Sequence, residues 1–378
     1  MNRIKNLDIF YHNRKVGTLA LYKKYCAAFQ YDKNWLLNGF SISPLSLPLR
    51  DDVFIPKPDP FNGLFGVFAD SLPDGWGRLL VDRFLAENNI NPYETDSLNR
   101  LSIVGETGMG ALTYRPDFSF SEASKINDYD HIAVECKKIL REEYTEDLDS
   151  LFYMAGSSGG ARPKILTEID GEEWIIKFPS SIDPPDIGKQ EYDYSLCARE
   201  CGLSVSETRL FPSSLCEGYF GTKRFDSRIL NGKRERIHMI SVSALLETSH
   251  RIPNLDYDIL MKLTMKITGN FSEAEKLYRL MCFNVYAHNR DDHSKNFSYL
   301  YLEDEGRWAL SPAYDLTYSS SLGGEHATMI HGNGRDPGKK DLLAVAEKIG
   351  INKTFASRTA DEIQECVNQR LHPYLKKG

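Results

Sequence analysis

The stretch "YAHNRDDHSKNFSYL", Tyr286 to Leu300, decides how the rest of the chain is read. It sets two histidines, two adjacent aspartates, a lysine and two asparagines between apolar segments. Such a segment is a solvated loop, a metal site or a reaction centre. His288 and His293 stand five apart, which is not the i, i+4 pair of a helical HExxH zinc site. Asp292-His293 runs in the opposite order to the His-Asp pair of metal-dependent phosphohydrolases, and the remaining histidines show no pattern that would complete such a site. His293 is therefore read as a structural or orienting residue rather than a ligand.

The carboxylates and amides carry more. Asp291 is followed five residues later by Asn296, and nineteen residues further on by Asp315 in LSPAYDLTY. Between them, Phe297–Leu302 and Arg307–Leu310 read as a hairpin turning at Glu303-Asp304-Glu305-Gly306. Transfer of a phosphoryl group to a hydroxyl needs a carboxylate near the hydroxyl proton, and an Asn and an Asp to hold magnesium on the phosphates. The Asp-x₄-Asn spacing is that of a protein-kinase catalytic loop.

Two further pieces lie upstream. AGSSGGARPK (155–164) is rich in small residues that let the backbone turn tightly and aim N–H groups at an anion. It fits neither the Walker pattern nor GxGxxG, and alone it is equally a plain turn. Lys177 sits inside the apolar strand Ile175-Ile176-Lys177-Phe178. A lysine there either contacts phosphate and pairs with a carboxylate, for which Glu191 on the next predicted helix is the candidate, or points to solvent from an edge strand. Glycine loop, strand lysine, helix glutamate, Asp291, Asn296 and Asp315 follow one another in kinase order, and the order narrows what each piece alone leaves open.

Working outward, LDIFYHNRKVGTLAL (7–21) reads as a hairpin around His12-Asn13-Arg14, and residues 75–90 as a helix closed by Asn91-Pro92. ETGMGALTY (106–114) is a glycine-rich turn into a strand, and residues 127–145 an amphipathic connecting helix. Two strands meet at Asp170-Gly171, a hairpin-turn signal. A helix over 190–202 ends at Gly202, and two further strands fall within 207–227. Ser272-Glu273-Ala274-Glu275 reads as a capping box, and residues 340–376 as helical. This predicts three parts: an α+β unit over 1–115, a β-rich lobe with a connecting helix over 116–227, and a helical lobe over 228–378.

The 378 residues are 41% hydrophobic and 26% charged, as in a globular chain with more than one core. No stretch approaches the roughly 18 apolar residues of a membrane span, and MNRIKNLDIFYHNRK has no apolar signal core, so a cytoplasmic location is expected. The net charge of −7 is not that of a chain that binds nucleic acid by its overall field. LNGKRER (230–236) is the densest basic run, read equally as a local patch or a solvated hairpin tip. Seven cysteines occur without a CxxC; Cys197 and Cys201 share a helix face but show no second pair nearby, so neutral free thiols are expected.

The chain resembles the HipA family of serine/threonine kinases, the toxins of type II toxin–antitoxin pairs, over nearly its whole length. The resemblance rests on VGTLAL, FQYDKNWL, SLPLR and FADSLPDGWGRLLVDR in the first part. It continues through GSSGGARPK, IIKFP, KRFD (223–226), RDDHSKNFS and SPAYDLTYS to MIHGNGRDPGKKDLLAVAEKIGI (329–351). It implies an α+β, protein-kinase-like two-lobed fold with an N-terminal α+β subdomain, using ATP and Mg2+. It implies Asp291 as catalytic base, Asn296 and Asp315 as magnesium ligands, and Lys177 on the nucleotide phosphates. Ser157, Ser158, Gly159 and Gly160 would lie over those phosphates, and Arg224 and Phe225 would line the adenine end through their backbone. Glu191, His293 and Lys295 would support the site.

The resemblance also implies autophosphorylation of Ser157, or of its neighbour Ser158, which silences the enzyme; a phosphate there would repel those of ATP. Arg162-Pro163 restrains this loop, because proline has no N–H and restricts the residue before it. Implied partners are a small helix-turn-helix, HipB-like antitoxin, DNA only through that antitoxin, and a protein substrate in translation such as an aminoacyl-tRNA synthetase.

Overall fold

The computed structural model describes residues 3–23, 25–118, 126–155, 159–230 and 232–375. The chain forms two compact units, Met1–Pro185 with Phe211–Thr248, and Asp186–Leu210 with Ser249–Gly378. The first unit holds residues on both sides of position 115, for a reason visible in the packing. Trp76 and Leu80, from the first expected part, share one buried cluster with Ile132, Leu151, Ile165, Ile176, Phe178 and Tyr219. A core shared in this way cannot be cut without exposing large apolar side chains.

In the first unit, Asn6–Tyr11 and Arg14–Tyr22 form the expected hairpin. His12 and Asn13 take φ of 46° and 63°, the backbone that matches a tight two-residue turn to the strand twist. Leu7, Ile9 and Tyr11 alternate inward and are fully covered. The hairpin is flanked by Cys26–Tyr31 on one side and Leu112–Arg115 on the other, completing a four-stranded antiparallel sheet. Gly75–Glu87 is helical, and its Trp76, Leu80, Val81, Phe84 and Leu85 are buried at helical spacing.

The second hairpin joins Lys164–Ile169 to Glu172–Lys177, and Tyr219–Lys223 pairs antiparallel with the latter. Asp170 and Gly171 turn it with φ of 54° and 79°. The basic run resolves into the strands Ser227–Leu230 and Lys233–Arg236. Its arginines are matched by carboxylates: Arg234 pairs with Glu168 at 2.6 Å, Arg236 with Glu173 at 2.7 Å and Arg228 with Glu235 at 3.3 Å. With both arginines of the run paired in their own unit, it is a charged hairpin.

The second unit is mostly helical. Ile187–Glu200, Tyr257–Thr268, Phe271–Tyr286, Lys339–Ile349 and Lys353–Arg370 are its long helices. The helix Phe271–Tyr286 begins earlier than the expected capping box. Asn270 is the cap, its side chain accepting from the Ser272 amide at 3.0 Å. Glu273 turns inward instead, where it accepts from the Leu310 amide at 3.1 Å and from Lys276 at 2.9 Å. The hairpin Ser298–Leu302 with Arg307–Leu310 forms as expected. Among the described residues, no helix is long and apolar enough to cross a membrane.

Candidate active site

In the second unit, the helix Phe271–Tyr286 delivers the chain to the stretch on which the reading began. Tyr194 donates its hydroxyl to Ala287 O at 2.8 Å and fixes the helix end. After His288 and Asn289 the backbone has no regular structure until a single 3₁₀ turn at Ser294–Asn296. Asp291 is exposed at the start of this loop. Asn296 closes it, its side-chain amide donating to Asp291 O at 2.7 Å. The five-residue spacing thus becomes one small ring that sets the Asp291 backbone and the Asn296 amide side by side.

His293 caps the 3₁₀ turn, its Nδ1 accepting from the Lys295 amide at 3.3 Å. That bond leaves the proton of a neutral imidazole on Nε2. The ring also lies 5.2 Å from the ring of His250. Lys295 O accepts from the Tyr314 hydroxyl at 2.6 Å, and Tyr314 shares a 2.7 Å hydrogen bond with Ser298. Those contacts bring the segment bearing Asp315 against the loop. Further along the same segment, Ser319 donates to His288 O at 3.0 Å. His293, Lys295, Asn296 and Asp315 therefore belong to one assembly.

Two residues of the assembly hold left-handed backbone, His288 at φ 52° and Asp315 at φ 56°. Such positions cost on the order of 1 kcal/mol or more and gather at sites whose geometry is fixed by function. Burial pushes the His288 imidazole pKa down, and Arg290 and His326 push it the same way. His288 is thus held neutral beside the loop.

Asp292 could be read as a solvated or a supporting neighbour of Asp291, and it takes the supporting role. It is fully buried. Its carboxylate accepts from the Tyr257 hydroxyl, from His326 Nδ1 and from the Thr328 amide, each at 3.1 Å. Its carbonyl accepts from the Thr328 hydroxyl. A second layer follows: Asn284 donates to Tyr257 at 2.9 Å, and Asn289 to Asn284 at 2.9 Å. Adjacent aspartates therefore do opposite jobs, Asp291 facing outward and Asp292 locking the loop to the body. Sequence reading missed Tyr257, His326 and Thr328, which come from distant segments; the signal available was a charged pair with apolar flanks on both sides.

In the first unit, the glycine loop is described from Gly159. Ser157 and Ser158 lie outside the described residues. The Gly160 amide donates to Asp74, and Gly160 O accepts from the Trp76 amide at 3.0 Å. A side chain at Gly75 would meet Gly160 O at 2.4 Å, so this close approach requires glycine. Lys164 donates to Gly159 O and is buried. Arg162 pairs with Asp183 at 3.1 Å, and Asp183 also accepts from the Ser180 amide at 2.9 Å. Lys177 stands in register with Lys164 on the neighbouring strand, its ammonium 5.6 Å from the Phe220 ring centroid.

The adenine-end expectation for Arg224 and Phe225 is narrowed. The Arg224 amide already donates to Glu173 O at 2.8 Å, so a backbone contact from Arg224 would have to use its carbonyl. Its guanidinium is buried and grips Asp226 at 2.9 and 2.6 Å. Asp226 also accepts from the Gly110 amide at 2.6 Å. Burial pushes the Asp226 carboxyl up, but Arg224, Arg236 and that amide outweigh it and hold it below the usual range. KRFD is thus a buried ionic latch within the first unit as well as a strand end. Glu191, the expected partner of Lys177, is buried on the helix Ile187–Glu200 of the second unit.

The amide and carboxylate oxygens of Asn296 and Asp315 form the hard donor set that suits Mg2+. The HipA-like C-terminal domain model matches residues 156–371, and the HipA N-terminal domain model matches residues 7–115. The chain belongs to the HipA family. The first of these HipA matches contains Lys177, the Asp291–Asn296 loop and Asp315.

A solved HipA structure, in the Shewanella oneidensis MR-1 toxin–antitoxin complex of HipA, HipB and operator DNA, is similar over 98% of this chain and 91% of its own. The TM-score is 0.72 at 16% identity, which establishes a shared α+β fold. A second structure, the Helicobacter pylori proinflammatory kinase CtkA, aligns with 58% of this chain and 93% of its own, at TM-score 0.38 and 15% identity. Comparison with curated proteins finds no match.

Proposed function

We propose that this HipA-family chain is an ATP- and magnesium-dependent serine/threonine protein kinase that acts as the toxin of a toxin–antitoxin pair in the cytoplasm. The observation that carries this reading is the Asp291–Asn296 ring, held against the Asp315 segment by Tyr314 and anchored from below by Asp292. Asp291 accepts the proton of the acceptor hydroxyl as its oxygen attacks phosphorus. Asn296 and Asp315 hold magnesium through their side-chain oxygens. Magnesium, when bound, neutralises charge on the phosphates. Lys177 and the backbone of the glycine loop are the proposed contacts of the first unit to nucleotide phosphates.

The acceptor in this proposal is a protein of translation, such as an aminoacyl-tRNA synthetase. Control comes from a HipB-like helix-turn-helix antitoxin, through which alone the chain meets DNA. That fits a net charge of −7 and a basic run paired by its own carboxylates. Phosphorylation of Ser157 or Ser158 is the proposed silencing step. The test is magnesium-dependent transfer from labelled ATP by the purified chain. Phosphoprotein mass spectrometry of host extract after induction then names the acceptor. Full activity in Asp291→Ala would remove Asp291 as base. Failure of the wild type to bind ATP with magnesium in calorimetry would favour a catalytically silent antitoxin-binding scaffold. ATP turnover without new host phosphoproteins would point to a non-protein acceptor.

A further inference from the structure

The thiols expected to be separate are gathered. Cys197 and Cys201 stand one turn apart at the end of the helix Ile187–Glu200, and Cys366 reaches them from the helix Lys353–Arg370. The three sulfurs all lie within 4.8 Å of one another, with Cys197 and Cys366 4.0 Å apart. A tetrahedral zinc centre with Zn–S bonds of about 2.3 Å spaces its sulfurs about 3.8 Å apart, so small side-chain shifts suffice. Cys197 and Cys201 are buried, whereas Cys366 is partly exposed and gives an ion a way in.

The surroundings suit a thiolate centre. Glu200 lies 4.0 Å from Cys366 and is partly exposed. Arg370 grips both oxygens of Glu200 at 2.6 Å and brings positive charge to the rim.

We propose that Cys197, Cys201 and Cys366 form a structural site for a thiophilic divalent cation of the Zn2+ type, with Glu200 or water completing the tetrahedron. Three soft sulfur donors select zinc over magnesium, which keeps to oxygen ligands. Each ligating thiol releases its proton to solvent as its sulfur bonds the metal. The ion would staple the end of the helix that carries Glu191 to the C-terminal helix. The site is chemically separate from the oxygen donors Asn296 and Asp315, and it stands whether or not the kinase reading holds.

The test is titration of the reduced, tag-free full chain with Co2+, followed by near-ultraviolet absorption. Sulfur-to-cobalt charge-transfer bands are expected to saturate at one equivalent and to be displaced by Zn2+. Cobalt held by Asn296 and Asp315 would give no such bands. Cys366→Ser is expected to lose them with an unchanged circular dichroism spectrum, while Cys216→Ser, outside the cluster, keeps them. As a check that needs no variant, Zn2+ should protect Cys366 of the wild type from alkylation, read by peptide mass spectrometry. Absence of charge-transfer bands in the wild type, their survival in Cys366→Ser, or alkylation of Cys366 unchanged by Zn2+ would overturn the proposal.

Discussion

The catalytic-type loop at 291–296 and the glycine loop at 159–164 are both short, irregular and rich in polar residues, yet they are held in opposite ways. The first rests on a buried aspartate whose partners, Tyr257, His326 and Thr328, come from two distant segments. The second is tied by more accessible contacts: the Gly160 amide to Asp74, and Arg162 to Asp183. Hydrogen bonds out of water are strong and costly to leave unmade, while wetter ones exchange readily with solvent. The difference suits the proposed roles: one loop presenting a base and metal donors in fixed positions, the other admitting and releasing phosphates.

Two substitutions at adjacent positions test the rigid half. Asp291→Ala should produce the largest effect on transfer, lowering turnover by about 10²- to 10⁴-fold, the usual contribution of a positioned base. Its unfolding midpoint should stay near that of the wild type, because Asp291 is exposed. Asp292→Ala should do the reverse in stability, costing about 3 kcal/mol in urea unfolding by stranding several buried donors. Equal stability loss at the two positions would erase the distinction between an outward-facing base and an inward-facing anchor.

That division of labour was only half legible in the sequence. The Asp291–Asn296 pairing could be read because both ends of the ring that joins them lie within one short stretch. The hairpin turns at His12-Asn13 and Asp170-Gly171 could be read because local backbone conformation fixes them. The burial of Asp292 could not, since its partners His326, Tyr257 and Thr328 lie 34, 35 and 36 residues away in sequence. The cap at Asn270 was misplaced because Ser272 and Glu275 offer an equally good local pattern, and the inward turn of Glu273 to the Leu310 amide is not visible locally. The gathering of Cys366 with Cys197 and Cys201 is likewise a property of helix packing and leaves no local mark.

The contrast concerns the loops, and the unit that carries the glycine loop has a firm body of its own. His238 is buried there, with Nε2 donating to Ile42 O at 2.8 Å. Burial pushes its imidazole down to about 4. A depressed pKa means that the folded protein keeps this ring neutral while the unfolded chain protonates near pH 6.5. The corresponding stability is therefore complete above that pH and is lost progressively as pH falls toward 4. The loss should reach about 2 kcal/mol by pH 5. Histidine NMR should find this ring still neutral at pH 5; protonation near pH 6.5 would mean that the body is as open to water as its loop.

The smallest effect on stability is expected at the tie most relevant to loop release. Arg162→Ala removes a part-buried loop ion pair and should cost about 1 kcal/mol in global unfolding. Hydrogen exchange should nevertheless quicken at the Gly160 and Ala161 amides, because a local tie governs local opening more than overall stability. Acid should mimic the substitution only at the low end. Burial pushes the Asp183 carboxyl up, but its hydrogen bonds from Ser180 and the nearby Arg162 charge outweigh that and hold it below the usual range. Its contribution is therefore present above the unfolded carboxylate pKa near 4 and fades below it. Between pH 5 and 8 the intrinsic exchange chemistry can be corrected for, and the corrected protection of this loop should then be flat. If Arg162→Ala leaves that protection unchanged, the Arg162–Asp183 pair does not hold the loop, and the restraint falls to Pro163 and the contacts of Gly160 with Asp74 and Trp76.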